Sequence, residues 1–171
     1  MSLFSRKINV DVDKLDEDRY EIQGELLDDF HHFKARMVIS YPDFEIISST
    51  GEMMKAPYQG YCQGSLPAME KLVGTQIKRG FRRRAAELVG GPEGCSHLYE
   101  IVMNMAEAAF QVRYYIIRDH PELYPEFSRV RDKTGERRNL ILKVMPALQN
   151  SCYIFNRNND GLFEERRAGD N

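Results

Sequence analysis

The feature that most constrains the fold is a change of hydrophobic period between the two halves of the chain. Over residues 6–50, apolar and polar residues alternate, as at Ile8, Val10 and Val12, which indicates strands with one buried face. After Pro57 the apolar residues recur at helical spacing instead. Strands followed by helices are typical of an α+β domain, so we expect a four-stranded antiparallel meander packed on one face by helices.

The strands after the first are expected at residues 20–26, 36–41 and 44–49, with a turn at Tyr41-Pro42-Asp43 between the last two. The longest helix should run from about Cys95 to Arg118, cross the sheet and form the core. Other helices are expected over three stretches: 65–73, 76–89, and 137–149 with a break at Pro146. We expect one domain over residues 1–155 and a polar tail over 156–171.

Composition excludes several classes of function. The 171 residues carry a formal net charge of −2, which argues against a general nucleic-acid binder, and the basic residues of 78–84 are expected to form a solvated helix face. No apolar run approaches the roughly 20 residues that cross a bilayer, so we expect no membrane association and a cytoplasmic location. The three cysteines, Cys62, Cys95 and Cys152, are expected to be reduced.

The chemically most informative stretch is Gly94-Cys95-Ser96-His97-Leu98. It places a thiol and an imidazole two residues apart at the expected start of the longest helix, where the positive end of the helix dipole favours a thiolate. Cys95 and His97 are therefore candidates for a nucleophile and its base, or for two metal ligands. Residues i and i+2 of a helix point in different directions, so the pair requires Cys95 to precede the first full turn.

Further candidates lie in loops. Cys62 follows the sheet in a stretch with two glycines, and it is either a ligand or a small buried residue. The turn between the second and third strands gathers oxygen and nitrogen groups that suit a borderline metal, and its members are Asp28, Asp29, His31 and His32. These are also ordinary turn residues, so a metal site requires that the turn approach the cysteines. Cys152 is expected in the core of a late strand.

The chain is similar to an uncharacterised bacterial domain family with a Gly-Cys-Thr/Ser-His-Leu signature, here Gly94-Cys95-Ser96-His97-Leu98. The similarity spans most of the chain. Its other segments are Gly24-Glu25-Leu26-Leu27-Asp28, Ala56-Pro57-Tyr58 with Cys62, Leu72-Val73-Gly74, Glu100, Gln111 and Cys152. Membership of this family implies no activity.

A more distant resemblance is to the U-type iron–sulfur cluster scaffolds. In those proteins a cysteine follows the sheet and another opens a long helix, and Cys62 and Cys95 resemble these two positions. Asp28 stands where the scaffolds have their first cysteine, and His97 follows Cys95 instead of preceding it. The resemblance implies a fold like that of the scaffolds, and a site of Asp28, Cys62, Cys95 and His97 that binds zinc, iron or an iron–sulfur cluster.

Three functions follow from these observations. The first is a metal-binding or iron–sulfur scaffold-like protein that carries sulfur or a cluster to a partner protein. The second is a small enzyme in which Cys95 is the nucleophile and His97 or Asp28 moves the proton. The third is an adaptor whose basic segment, 79–84, docks on an acidic partner.

Overall fold

The computed structural model describes residues 2–119, 122, 124–130 and 135–161. The first half of the chain forms the predicted antiparallel meander, in which each strand pairs with the next along the sequence. The strands are β1 (Arg6–Lys14), β2 (Arg19–Asp28), β3 (His32–Ser40) and β4 (Ile46–Lys55). The prediction of an α+β fold is confirmed.

The second half is helical. It contains a 3₁₀ helix (Cys62–Leu72), α1 (Phe81–Leu88), α2 (Ser96–Asp119), α3 (Pro125–Arg129) and α4 (Gly135–Val144), followed by single 3₁₀ turns at Pro146–Leu148 and Arg157–Asn159. Within the described residues, no helix is both long enough and apolar enough to span a bilayer.

Several element boundaries differ from the sequence predictions. The last strand continues to Lys55, because its pairing with β3 is uninterrupted from Ser48 to Met53 and, after an irregularity, joins His32 to Lys55. The helix predicted over 76–89 begins only at Phe81, since Gly80 adopts a φ of +94°, which a right-handed helix cannot include.

Two further predictions concern prolines and the last cysteine. The helix expected over 65–73 is a 3₁₀ helix that contains Pro67, whose missing N–H removes one possible α-helical hydrogen bond. The break expected at Pro146 is confirmed, because α4 ends before it. Cys152 was expected in a buried strand, and this prediction is wrong: the residue is exposed in an irregular segment. The longest helix, expected from about Cys95 to Arg118, is α2 (Ser96–Asp119).

The core forms where α2 crosses the inner face of the sheet, which is the face of Ile22 and Leu26. The side chains of α2 that are completely or almost completely buried are Leu98, Ile101, Val102, Met105, Ala106, Ala109 and Val112. Gly24 lies at the centre of β2, and a Cβ atom there would stand 2.5 Å from Cγ2 of Ile101 and 2.8 Å from Sδ of Met105. Gly24 therefore lets the helix lie directly on the strand.

The chain separates into two compact units, residues 1–113 and 114–171. The first contains the sheet, the 3₁₀ helix, α1 and most of α2. The second contains α3 and α4, and its clearest polar contact is the buried Arg138, which donates to Asp160 at 2.6 Å and to the carbonyl oxygen of Ile154. The prediction of one domain over 1–155 stays a prediction.

We expect Gly24→Ala to lower the free energy of unfolding by about 2 kcal/mol, because the added methyl group forces α2 away from β2. Gly64→Ala is the matched control, since nothing lies within 4 Å of a Cβ atom at that position. Urea denaturation of both variants measures the difference. Equal midpoints for the two variants would contradict the close approach of α2 to the sheet.

Candidate functional site

Backbone contacts fix Cys95 immediately before the first turn of α2. Its N–H donates to the carbonyl oxygen of Val89 at 2.7 Å, and its own carbonyl accepts from the N–H of Tyr99 at 3.0 Å. Gly94 makes this path possible, because a Cβ atom at Gly94 would lie 1.9 Å from the carbonyl oxygen of Val89. The glycine of the signature is thus a steric requirement of the backbone that carries the cysteine.

Because Cys95 precedes the helix, its side chain meets that of His97. The Sγ atom of Cys95 lies 3.9 Å from Nδ1 of His97, and both residues are half-buried. The sequence analysis required Cys95 to precede the first full turn of the helix, and the structure meets this requirement. The arrangement gives a thiol with a ring nitrogen as its nearest proton acceptor.

The ring of His97 rests on a second imidazole. The centroids of His31 and His97 are 3.9 Å apart with an interplanar angle of 37°, and Phe33 presents an edge contact to each ring, at 5.3 Å and 5.9 Å. His31 belongs to the turn between β2 and β3. The turn therefore lies next to His97, which in turn contacts Cys95. This proximity is needed if residues of the turn are to belong to the same site as Cys95.

Asp28 holds His31 in place. Its side chain is fully buried, and its Oδ1 atom accepts from the N–H groups of Phe30 and His31, each at 2.8 Å, and from Nδ1 of His31 at 2.9 Å. Its Oδ2 atom accepts from Nε and Nη2 of Arg6, at 2.9 Å and 2.8 Å. The Nη1 atom of Arg6 donates to Glu100 of α2 at 2.8 Å. The carboxylate thus joins two strands, a turn and, through Arg6, the helix.

Burial alone would raise the pKa of Asp28, but the hydrogen bonds to its carboxylate outweigh burial. The donors are the N–H of Phe30, the ring of His31, Arg6 and the N–H of His31, and together they hold the pKa of Asp28 well below its usual range. Asp28 is consequently ionised at all physiological pH values. A permanent carboxylate favours the tautomer of His31 that carries a proton on Nδ1.

Burial lowers the pKa of His97 below its ordinary value, and repulsion from His31 and Arg6 lowers it further. The carboxylates of Asp28 and Glu100 act in the opposite direction and only partly offset these effects. His97 is therefore neutral at pH 7. A neutral imidazole is the form that can accept a proton from a neighbouring thiol.

The four predicted metal ligands do not form a metal centre among the described residues. Both oxygens of Asp28 are already taken by protein donors, and no group of three or more His, Cys, Asp or Glu side chains in the described part of the chain could hold a metal ion. Cys62 opens the 3₁₀ helix and does not complete such a group with Cys95 and His97. Metal binding by this set stays a prediction.

The other residues of the turn do not join the site. Asp29 offers its carbonyl oxygen to Lys55, and His32 lies on the outer face of the sheet, with Nε2 at 2.7 Å from Glu25. His31, in the turn, contacts Asp28 and Phe33 on the inner face, whereas His32 begins β3 with its side chain on the outer face. This explains why only His31 reaches His97.

Sequence reasoning missed Arg6 and named Glu100 only as part of the family similarity. A signal for Arg6 exists: it lies two residues before Ile8 in the alternating pattern, so its side chain lies on the inner face. The register pairs Arg6 with Asp28. Neither the register nor the contact with α2 can be read from one sequence.

Of the predicted basic cluster, Arg82, Arg83 and Arg84 lie exposed on α1, whereas Lys78 and Arg79 precede the helix and are exposed in the segment before it. Arg83 and Arg84 lie 3.8 Å and 3.5 Å from Glu87, and Arg82 lies 3.6 Å from Glu107. These nearby carboxylates reduce the positive potential of the helix face.

A family model described as a protein of unknown function, DUF2889, matches residues 4–111. The chain belongs to this family. The match covers the sheet, the 3₁₀ helix, α1 and most of α2, including Gly94-Cys95-Ser96-His97-Leu98, so the predicted membership of an uncharacterised domain family is confirmed. The chain matches no curated protein and no solved structure, and the resemblance to iron–sulfur scaffolds gains no support.

We expect Asp28→Asn to lower the free energy of unfolding by about 3 kcal/mol at pH 7, because Arg6 loses one of its two carboxylate partners and the amide nitrogen of asparagine cannot accept the hydrogen bonds that a buried carboxylate oxygen accepts. Asp43→Asn, at an exposed carboxylate, should change it by less than about 0.5 kcal/mol. Urea titrations of both variants and the wild type provide the comparison.

The pH dependence has a defined sign. The pKa of Asp28 is lowered in the folded protein. Above the ordinary value of 3.8, ionised Asp28 therefore contributes fully to the free energy of unfolding. As the pH falls below that value, this contribution is lost, because the unfolded chain takes up the proton first. The stability difference between wild type and Asp28→Asn should therefore shrink in acid. A difference that stays constant from pH 7 to pH 2 would contradict the ionised, buried carboxylate.

Proposed function

We propose that this protein is a small thiol-dependent enzyme in which Cys95 is the nucleophile and His97 is the base. The observation that carries the proposal is the 3.9 Å separation between Sγ of Cys95 and Nδ1 of a neutral His97. A nucleophile beside its base, with the base oriented by a third group, is the general arrangement of covalent catalysis. Here the third group is His31, which Asp28 holds.

The proposed chemistry is acyl transfer. The thiol of Cys95 gives its proton to Nδ1 of His97, and the thiolate attacks the carbonyl carbon of an ester or thioester. The carbon–heteroatom bond to the leaving group then breaks, and the leaving group departs with the proton from His97. Water hydrolyses the resulting acyl-cysteine, while His97 accepts a proton from the water and returns it to the thiolate.

Two features of the fold support a nucleophilic role for Cys95. It lies immediately before a helix of 24 residues, and the N-terminus of a helix carries the positive end of the helix dipole. It is also half-buried, so a substrate can approach while part of the surrounding water is excluded.

Asp28 and His31 act as positioning residues in this proposal. Asp28 fixes the ring of His31, and His31 supports the ring of His97 from one side. Burial beneath this stack and the nearby guanidinium of Arg6 both lower the pKa of His97 and so keep its ring neutral. A base that is neutral at pH 7 accepts the proton of the thiol without having to lose its own first.

The reactivity of Cys95 tests the proposed base. At pH 7.5, His97→Gln should slow alkylation of Cys95 by iodoacetamide by about tenfold, because the thiol loses its proton acceptor. Cys152 is an internal reference whose rate should stay the same. His32→Gln is the matched control, since His32 contacts Glu25 on the outer face of the sheet. Peptide mass spectrometry after timed quenching gives both rates.

The covalent intermediate tests the reaction itself. With p-nitrophenyl acetate, the wild type should release p-nitrophenol and carry an acetyl group on Cys95, whereas Cys95→Ala should do neither. Alkylation of Cys95 that is unchanged in His97→Gln would exclude His97 as the base. Acetylation of Cys152 alone would exclude Cys95 as the nucleophile.

A second proposal is a cytoplasmic carrier of zinc, iron or an iron–sulfur cluster that delivers it to a partner protein. It is favoured by the same pair of side chains, because Zn–S and Zn–N bonds of about 2.3 Å and 2.0 Å can bridge atoms that are 3.9 Å apart. The remaining ligands would have to come from outside the described residues. The two proposals differ in the metal content that they predict for the purified protein.

Metal analysis of protein that is purified without oxygen decides between them. A carrier should contain about one zinc or iron per chain, and Cys95→Ser should lose most of it. Wild-type protein without stoichiometric metal would exclude the carrier. Metal content that is equal in wild type and Cys95→Ser would exclude the proposed pair as its ligands.

A further inference from the structure

The first strand of the sheet has a free edge. β1 pairs with β2 along its whole length, and no strand among the described residues pairs with its other side. It is nine residues long and contains no proline or glycine. An edge of this kind presents a row of unpaired N–H and C=O groups that can bind another strand.

The side chains of β1 fall into two sets. Ile8 and Val10 are half-buried on the inner face, and Val12 is 36% exposed, so all three retain apolar surface that nothing in the described structure covers. On the outer face, Lys7, Asp11 and Asp13 are exposed, and none of the three takes part in an ion pair within the described residues. The edge therefore combines uncovered apolar surface with one positive and two negative charges that have no ion-pair partner among the described residues.

We propose that β1 pairs in antiparallel fashion with β1 of a second copy of this chain, centred on Val10, so that the two sheets join into one of eight strands. Val10 is the central residue of β1, and this register therefore uses the whole strand. It places Lys7 opposite Asp13 of the other copy, and Ile8 opposite Val12. Two-fold symmetry makes each of these contacts twice.

The charge pattern of the strand favours this partner over an unrelated one. Pairing about Val10 sets the positive charge of Lys7 opposite the negative charge of Asp13 and sets the amide of Asn9, a hydrogen-bond donor, opposite the carboxylate of Asp11. On the inner face, the apolar side chains of the two copies meet each other. The inner and outer faces remain continuous across the junction, because paired residues in antiparallel strands point to the same side.

One contact in this register joins like charges, since Arg6 stands opposite Lys14. The guanidinium of Arg6 is already paired with Asp28 and Glu100, which reduces its repulsion of a second cation. In an alternative register centred on Asn9, Lys7 would lie opposite Asp11 of the other copy, and Asp13 would have no charged partner. The two registers are therefore distinguished by their response to a change at Asp13.

Charge reversal tests the proposal. Sedimentation equilibrium of the full chain at 1–200 µM, a range chosen to cover weak dimers of about micromolar affinity, should show a reversible dimer for the wild type. Lys7→Glu and Asp13→Lys should each be monomeric, because each places like charges opposite one another at two points. An equimolar mixture of the two variants should form a heterodimer, and the double variant should dimerise like the wild type. Both positions are exposed, so the fold itself should be unchanged.

Each other outcome overturns the proposal or its register. A wild type that is monomeric over the whole range shows that β1 does not self-associate. A dimer that persists in both single variants places the contact on another surface. A dimer that is sensitive to Lys7→Glu and insensitive to Asp13→Lys overturns the register centred on Val10. None of these results bears on the role of Cys95.

Discussion

The buried carboxylate of Asp28 is the contact on which the rest of the site depends. It lies at the end of β2, where the chain turns into β3, and it accepts hydrogen bonds from the turn, from His31 and from Arg6 of β1. A buried charge is tolerated only when it is paired and its oxygen atoms are satisfied, and both conditions hold here. Because Arg6 also binds Glu100, the same network orients the first turns of α2 relative to the sheet.

Two glycines allow this arrangement because they have no side chain at positions where a Cβ atom would collide with its neighbours. Gly24 lets Ile101 and Met105 lie directly on β2, which brings α2 close enough for its first turn to meet the turn between β2 and β3. Gly94 lets the backbone pass close to the carbonyl oxygen of Val89, so that Cys95 lies one residue before the start of α2. Any larger side chain at either position would displace the thiol or the ring beside it. The geometry of Cys95 and His97 is thus a consequence of backbone packing at two points away from the sulfur atom.

The sequence predicted the meander and the long helix because both follow from periodic burial, as in Ile8, Val10 and Val12 for β1. It also predicted the Cys95–His97 pair, since that pair depends on local geometry at one helix start. The partner of Asp28 could not be predicted, because the contact with Arg6 depends on strand register. The stack of His31 on His97 depends on how α2 crosses the sheet. The resemblance to other proteins grouped Cys62 with Cys95, but the described residues contain no group of three or more His, Cys, Asp or Glu side chains that could hold a metal ion.

The protonation of the two stacked imidazoles tests this account most directly. Nitrogen-15 NMR of the histidine side chains at pH 7, with His31→Gln and His97→Gln to assign the signals, reports which ring nitrogens carry protons. We expect Nδ1 of His31 to carry a proton, towards Asp28, and His97 to be neutral with an unprotonated Nδ1 facing Cys95. A doubly protonated His97, or a His97 with its proton on Nδ1, would contradict the claim that Asp28 and His31 prepare a base for the thiol.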